Sequence, residues 1–142
     1  VRTGNNAEHF GATLQALQSD ADFIFANFED FDMLYGHRND PRGFAKALEA
    51  FDVGLRRLHA HLRLDDLLIL TADHGNDPTT PSTDHSREFA PLLCYSMRMT
   101  TGAPLGTRLT FADLAATIAD VFDLEPKWGA ESFYPLLAAD RP

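Results

Sequence analysis

Acidic and histidine side chains that could bind metal ions concentrate in three short stretches of the sequence. Asp32 and His37 lie in FDMLYGHR, Asp73 and His74 in TADHGND, and His85 in STDHSRE. Carboxylate and neutral imidazole are ligand types that suit Zn²⁺ and Mn²⁺. Five such ligands are too many for one tetrahedral ion and suit two, and a pair of divalent ions about 3.5–4 Å apart is the usual arrangement for phosphoryl chemistry. The three stretches therefore indicate a two-metal site of that kind.

These residue types also have ordinary roles. A single Asp or His in a loop is usually a solvated or capping residue, but a buried strand seldom ends on an adjacent pair such as Asp73 and His74 without a reason. Three nearby carboxylates are rival ligands, although the last two are also typical of turns: Asp30, Asp77 and Asp84. Structural roles are expected for the histidines on predicted helices, His9, His59 and His61.

Alternating helices and strands would position these side chains. Apolar residues spaced as on one helix face predict a helix over about 6–19 and a second from the Asp40-Pro41 start signal to about Leu62. Three short stretches predict strands: DFIFANF over about 22–27, LLILTA over 67–72 and FAPLLCYS over 89–96. Thr110 predicts the N-cap of a last helix, with Asp113 at the N3 position of a capping box. The tail is expected to pack loosely; its large side chains are Trp128, Phe133 and Leu136.

This order of elements predicts an α/β fold in which helices cover a parallel sheet. Ligands of such sheets bind beyond the carboxyl ends of the strands. The first two predicted strands both lead into loops rich in Asp and His. We therefore expect the fold to bring ligands together that are far apart in the sequence.

Composition narrows the range of partners. The chain has 142 residues, 44% of them hydrophobic, and a net charge of −9, which suits a soluble domain and disfavours nucleic acid. No apolar stretch reaches the roughly 20 residues that would span a membrane. The single Cys94 cannot form an internal disulfide, so we expect a reducing, cytoplasmic location. Because the sequence starts at Val1 without a Met, we expect a fragment of a longer protein.

Three blocks of the sequence resemble a known enzyme family: NFEDFDMLYGHRNDPRGFAKALEAFD, LLILTADHGNDPTTPSTDHSREFAPLL and TFADLAATIADVF. They are similar to the C-terminal part of the phosphopentomutases, which belong to the alkaline phosphatase superfamily, and the resemblance covers nearly the whole chain. It implies part of a doubly wound, mostly parallel sheet with helices on both faces. It also implies two Mn²⁺ ions per parent enzyme, with Zn²⁺ or another divalent ion as alternatives. The implied reaction interconverts ribose or deoxyribose 1-phosphate and 5-phosphate through a phosphothreonine.

Matched motif by motif, the resemblance implies that Asp32, His37 and His85 hold one ion and that Asp73 and His74 contribute to the other. The nucleophilic threonine, a further ligand aspartate and an inserted cap domain would lie upstream. Residues 1–142 would then be the C-terminal portion of the metal-binding core domain, with no catalytic nucleophile and no activity alone. A sugar phosphate and the remainder of the parent chain are the expected partners. Two other interpretations are open: another two-metal enzyme, such as a cofactor-independent phosphoglycerate mutase or a phosphatase, and a non-catalytic metal-binding module.

Overall fold

The helices and strands of the chain belong to two structural units. The computed structural model describes residues 1–125 and 129–137. The first unit comprises Val1–Arg63 and Thr71–Pro91, and the second comprises Leu64–Leu70 and the chain from Leu92 onwards. The elements in chain order are α1 (Asn6–Leu17), α2 (Pro41–His59), β1 (Leu68–Thr71), β2 (Leu92–Tyr95), α3 (Ala112–Val121) and α4 (Tyr134–Leu137). Within the described ranges, no helix is long and apolar enough to cross a membrane.

Side-chain caps fix where the first two helices begin. The Asn5 side chain accepts a hydrogen bond from the backbone N–H of Glu8 at 2.9 Å, at the start of α1. At the start of α2, the Asp40 carboxylate accepts from the backbone N–H of Gly43 at 2.9 Å, and Pro41 occupies the first helical position. Both predicted helices are confirmed, although α2 ends at His59 rather than near Leu62.

An aromatic core joins α1 to α2 in the first unit. Its buried residues are Phe10, Leu14 and Leu58, and its partly buried residues include Phe28 and Phe51. The Phe10 ring lies 4.6 Å from that of Phe28 and 5.1 Å from that of Phe51, measured between centroids. Phe31 extends this cluster, with its ring 5.6 Å from that of Phe51. The packed core therefore reaches the residue immediately before Asp32.

The second unit is organised around the β1–β2 pair and around α3. Thr117 on α3 is fully buried; its hydroxyl donates to the carbonyl of Asp113 at 2.8 Å and accepts from the N–H of Phe133 at 2.9 Å. Phe133 is only 1% exposed, so the expectation of a loosely packed tail is wrong at this residue. Leu136 is exposed, and Trp128 lies outside the residues that the structure describes.

The predicted capping box at the start of α3 is wrong. The helix begins at Ala112, and Phe111 occupies the N-cap without a side-chain hydrogen bond. Thr110 does accept from the backbone N–H of Ala112 at 3.1 Å. Asp113, however, turns away from the helix start, because its carboxylate accepts from the N–H of Glu131 at 3.1 Å. The Asp113 carboxylate, which the capping box required at the start of α3, is therefore bonded to a residue distant in the sequence.

The strand predicted over residues 22–27 is also wrong. This segment lies outside the sheet, which pairs β1 with β2 alone in the part of the chain that is described. Aromatic and β-branched residues favour strands, but a strand also needs a neighbour that completes its backbone hydrogen bonds. The other two strand predictions are confirmed at Leu68–Thr71 and Leu92–Tyr95. The result is a mixed α/β structure with two paired strands.

Candidate metal centre

Two consecutive helical turns place the first pair of predicted ligands. Phe31–Tyr35 forms a π-helical turn and Gly36–Arg38 a 3₁₀ turn, immediately before α2. The strand that was expected to lead into this loop is absent, since residues 22–27 lie outside the sheet. Asp32 and His37 nevertheless meet, with His37 Nε2 3.1 Å from Asp32 Oδ2. π-Helical turns are rare and occur frequently at functional sites.

The backbone of a distant loop orients the His37 ring. His37 Nδ1 lies 2.6 Å from the carbonyl oxygen of Thr83. A carbonyl can only accept, so Nδ1 carries the proton and donates this bond. In the neutral imidazole, Nε2 then presents a lone pair towards the Asp32 carboxylate. Two electron-pair donors facing each other in this way form an arrangement that a cation between them would satisfy.

A loop that folds back on itself brings His85 to the same carboxylate. Gly75 and Ser86 form an isolated antiparallel bridge, and the Ser86 hydroxyl accepts from the N–H of Asp77 at 2.6 Å. This closure places His85 Nε2 3.6 Å from Asp32 Oδ1. The bridge requires glycine, because a Cβ on Gly75 would lie 2.3 Å from the backbone oxygen of Glu88.

The first three predicted ligands form one cluster. Asp32, His37 and His85 each offer a donor atom, and these atoms all lie within 4.8 Å of one another. Tetrahedral donors at about 2.0–2.2 Å from an ion are separated from each other by about 3.3–3.6 Å. His37 Nε2 lies 3.1 Å from Asp32 Oδ2, and His85 Nε2 lies 3.6 Å from the other oxygen, Oδ1. The donor set therefore fits a divalent ion in its chemistry, and a small adjustment of the side chains would bring its separations to those of a bound ion.

The second predicted pair lies next to this cluster. Asp73 and His74 follow the end of β1 after one intervening residue, close to the expected position, and His74 Nε2 lies 3.6 Å from Asp73 Oδ1. The His74 ring stacks on the ring of His85, with centroids 3.7 Å apart and an angle of 21° between the planes. The Asp73 side chain is 84% exposed. The structure thus brings His74 against the three-residue cluster and leaves Asp73 open to solvent.

One contact of this site was absent from the sequence-based interpretation. The Asn76 side chain donates from Nδ2 to Asp32 Oδ1 at 2.7 Å. Asn76 follows the Asp73-His74-Gly75 stretch, but nothing in the local pattern indicates that its amide reaches a residue 44 positions earlier. Only the folded loop shows that contact.

The rival carboxylates and histidines have other partners. Asp30 accepts from the backbone N–H of Asn6 at 2.9 Å. Asp77 accepts from the hydroxyl and the N–H of Thr79, and these hydrogen bonds lower the pKa of its carboxyl. His61 Nδ1, just beyond the end of α2, lies 2.7 Å from the carbonyl oxygen of Arg57 in the last turn of that helix. Asp84, His9 and His59 are likewise outside the three-residue donor cluster.

The sequence of this chain is similar to those of known proteins over most of its length. The metalloenzyme superfamily matches residues 2–126. Similar curated proteins, all named phosphopentomutase, come from Caldanaerobacter subterraneus (54% identity over 94% of this chain), Herpetosiphon aurantiacus (52% over 92%) and Dictyoglomus thermophilum (59% over 78%).

The matched regions are only part of each relative. The chain spans 34% of the Caldanaerobacter and Herpetosiphon proteins and 28% of the Dictyoglomus protein. The superfamily match and the clustered donors together indicate that the chain binds a divalent metal ion. With the match extending over residues 2–126, the chain belongs to the metalloenzyme superfamily.

Proposed function

We propose that this chain is the C-terminal, metal-binding portion of a phosphopentomutase, an isomerase that interconverts ribose or deoxyribose 1-phosphate and 5-phosphate. One observation carries the proposal: three metal-type donors cluster in a chain that is 54% identical over 94% of its length to a protein of that name. The relatives described above share that name, which supports a phosphopentomutase over a phosphoglycerate mutase or a phosphatase. In the parent protein, the β1–β2 pair would belong to a larger doubly wound sheet with helices on both faces.

The donor set supports two ion positions, for which Mn²⁺ is the proposed occupant. Asp32, His37 and His85 would hold one ion, and Asp73 with His74 would contribute to the second. Carboxylate and imidazole also suit Zn²⁺, so the identity of the metal rests on the resemblance. Bound ions would supply the positive charge that phosphoryl transfer requires.

The protein's own side chains prepare the site for a charged substrate. The chain carries a net charge of −9, which by itself repels a sugar phosphate. Carboxylates and imidazoles that bind cations at one place would replace this repulsion with a local attraction for the phosphate group. The Thr83 carbonyl holds His37 in the tautomer that leaves Nε2 able to bind a cation. The phosphorylated threonine and the cap that contacts the sugar would come from the remainder of the parent chain.

Mutase turnover of the full-length parent protein tests this function. The assay follows conversion of ribose 1-phosphate to ribose 5-phosphate with saturating Mn²⁺. We expect His74→Ala to lower turnover by orders of magnitude, because one ion position would lose a ligand. His61→Ala removes the same side chain outside the donor cluster and should leave turnover nearly unchanged.

The isolated 142-residue chain gives a second test. It should show no conversion even with saturating Mn²⁺, because the proposed nucleophile lies elsewhere in the parent. Mutase turnover by this chain alone would contradict the proposal. Near-normal turnover in full-length His74→Ala would do the same.

A further inference from the structure

We propose that Asn76 is a positioning residue for Asp32 and that Gly36 provides the space for its amide. The inference rests on the proposed metal site and extends it to two residues outside the ligand set. It predicts that the loop carrying Asp73 and His74 controls the orientation of a ligand assigned to the other ion.

The hydrogen bond to Asp32 is the first observation behind this proposal. Asn76 Nδ2 donates to Asp32 Oδ1 at 2.7 Å, a short bond to a charged acceptor. That same oxygen lies 3.6 Å from His85 Nε2, while the other carboxylate oxygen lies 3.1 Å from His37 Nε2. The amide therefore holds the carboxylate with one oxygen towards each imidazole.

The space beside Gly36 is the second, independent observation. A Cβ built on Gly36 would lie 2.1 Å from Asn76 Nδ2, 2.7 Å from its Cγ and 3.0 Å from its Oδ1. Gly36 has an ordinary right-handed backbone, with φ of −60°, so other residues could adopt its conformation. A side chain at this buried position would therefore displace the Asn76 amide, whereas the backbone geometry of Gly36 would tolerate one.

The chain connection gives this contact its functional meaning. Asn76 lies two residues after His74, in the loop that follows β1, whereas Asp32 and Gly36 lie in the turns before α2. Hydrogen-bond partners of metal ligands orient those ligands, and their loss typically lowers metal affinity about 10- to 100-fold. Asn76 thus connects the two ligand sets through a single side-chain contact.

Calorimetric titration of the 142-residue chain with MnCl₂ tests this role without any activity assay. We expect Asn76→Ala to raise the dissociation constant of the tighter site about 10- to 100-fold. Asn27→Ala is the matched control, because it removes an amide-to-carboxylate hydrogen bond to Glu29 that is exposed and outside the donor cluster. This control should leave the dissociation constant within about twofold, since exposed pairs contribute little.

A double-mutant cycle separates positioning from a general loss of structure. Gly36→Ala leaves every ligand and Asn76 in place but moves the Asn76 amide away from Asp32. In a chain that retains Asn76, this substitution should therefore weaken Mn²⁺ binding. In the Asn76→Ala background the clashing atoms are gone, so adding Gly36→Ala should have little further effect. Melting curves of the metal-free variants report whether each chain is folded.

Three results would overturn the inference. One is a folded Asn76→Ala chain whose Mn²⁺ affinity changes by less than about twofold, because loss of an orienting hydrogen bond should lower it about 10- to 100-fold. Another is a pair of fully additive effects in the cycle. If Asn76→Ala is poorly folded, a folded Gly36→Ala chain that binds Mn²⁺ as tightly as the wild type would overturn the inference instead. A wild-type chain that binds no Mn²⁺ would overturn the metal site as well, whereas tight binding that is indifferent to Asn76 would overturn this inference alone.

Discussion

Removing His85 should abolish most of the stabilisation that the chain gains from metal. His85 supplies one of the three clustered donors, and its Nε2 lies 3.6 Å from Asp32 Oδ1. Metal binds the folded chain, in which the donors are gathered, far better than the unfolded chain, in which they are dispersed. Saturation with Mn²⁺ should therefore raise the melting temperature, and His85→Ala should reduce that rise.

The size of the effect follows from mass action. At a Mn²⁺ concentration about 100 times the dissociation constant, binding adds about 2.7 kcal/mol to the free energy of unfolding. For a domain of this size, each kcal/mol corresponds to about 2–4 °C, so the melting temperature should rise by about 5–11 °C. If losing a direct ligand weakens binding about 100-fold, the upper end of the effect of losing an indirect partner, the gain falls to about 0.4 kcal/mol. The remaining rise is about 1–2 °C.

Thermal unfolding followed by circular dichroism, with Mn²⁺ and with a chelator, measures the rise in melting temperature for the wild-type chain and for His85→Ala. His61→Ala is the matched control, because His61 bonds to the backbone of Arg57 outside the donor cluster. The control should keep the full metal-dependent rise. An equal rise in His85→Ala would remove His85 from the site. A wild-type melting temperature that ignores both Mn²⁺ and chelator would refute metal binding here.

Two further predictions concern packing and protonation. Gly54→Ala on α2 should destabilise the fold by about 1 kcal/mol, because overpacking costs about 1–3 kcal/mol against about 1 kcal/mol gained in helix propensity. The new Cβ would lie 2.5 Å from the Phe10 ring. Gly11→Ala on α1, with nothing within 4 Å, is the control and should stabilise; denaturant unfolding compares the two, and equal effects would contradict the clash. Burial raises the pKa of the half-buried Cys94 thiol to about 11, so alkylation near pH 8 should be about 100-fold slower than for a thiol with the ordinary value. The folded chain favours the neutral thiol, so the contribution of Cys94 to the free energy of unfolding is complete below the ordinary pKa and is lost as the pH rises through 11. Alkylation of Cys94 at the rate of a free thiol would contradict the raised pKa.

Local signals in the sequence predicted the two helices of the first unit. Asp40 and Pro41 fix the start of α2 through contacts within one turn, and an apolar face at helical spacing is a property of the segment itself. The ligand types were equally visible, because Asp and His are recognisable wherever they occur. Their grouping required knowledge of which loops meet, and the resemblance to a known family supplied it.

Features that depend on distant partners could not be predicted in this way. The residues at 22–27 have strand-forming character, yet a strand forms only with a neighbour. Asp113 matches a capping box in sequence, but Glu131 supplies the N–H that its carboxylate accepts. The bond from Asn76 to Asp32 spans 44 positions. In each case the deciding contact joins residues whose proximity exists only after folding.

The two ligand sets differ in how the first unit supports them. Asp32 follows Phe31, whose ring joins the aromatic core, and its carboxylate receives the Asn76 amide. His37 is oriented by the Thr83 carbonyl, and His85 by a loop closed at the Gly75–Ser86 bridge. Asp73 lacks comparable support within the described residues: its contact is with His74 at 3.6 Å, and its side chain is 84% exposed. Preorganised donors lose less conformational entropy on binding. We therefore expect one ion to bind at the three-residue cluster more tightly than a second at Asp73 and His74.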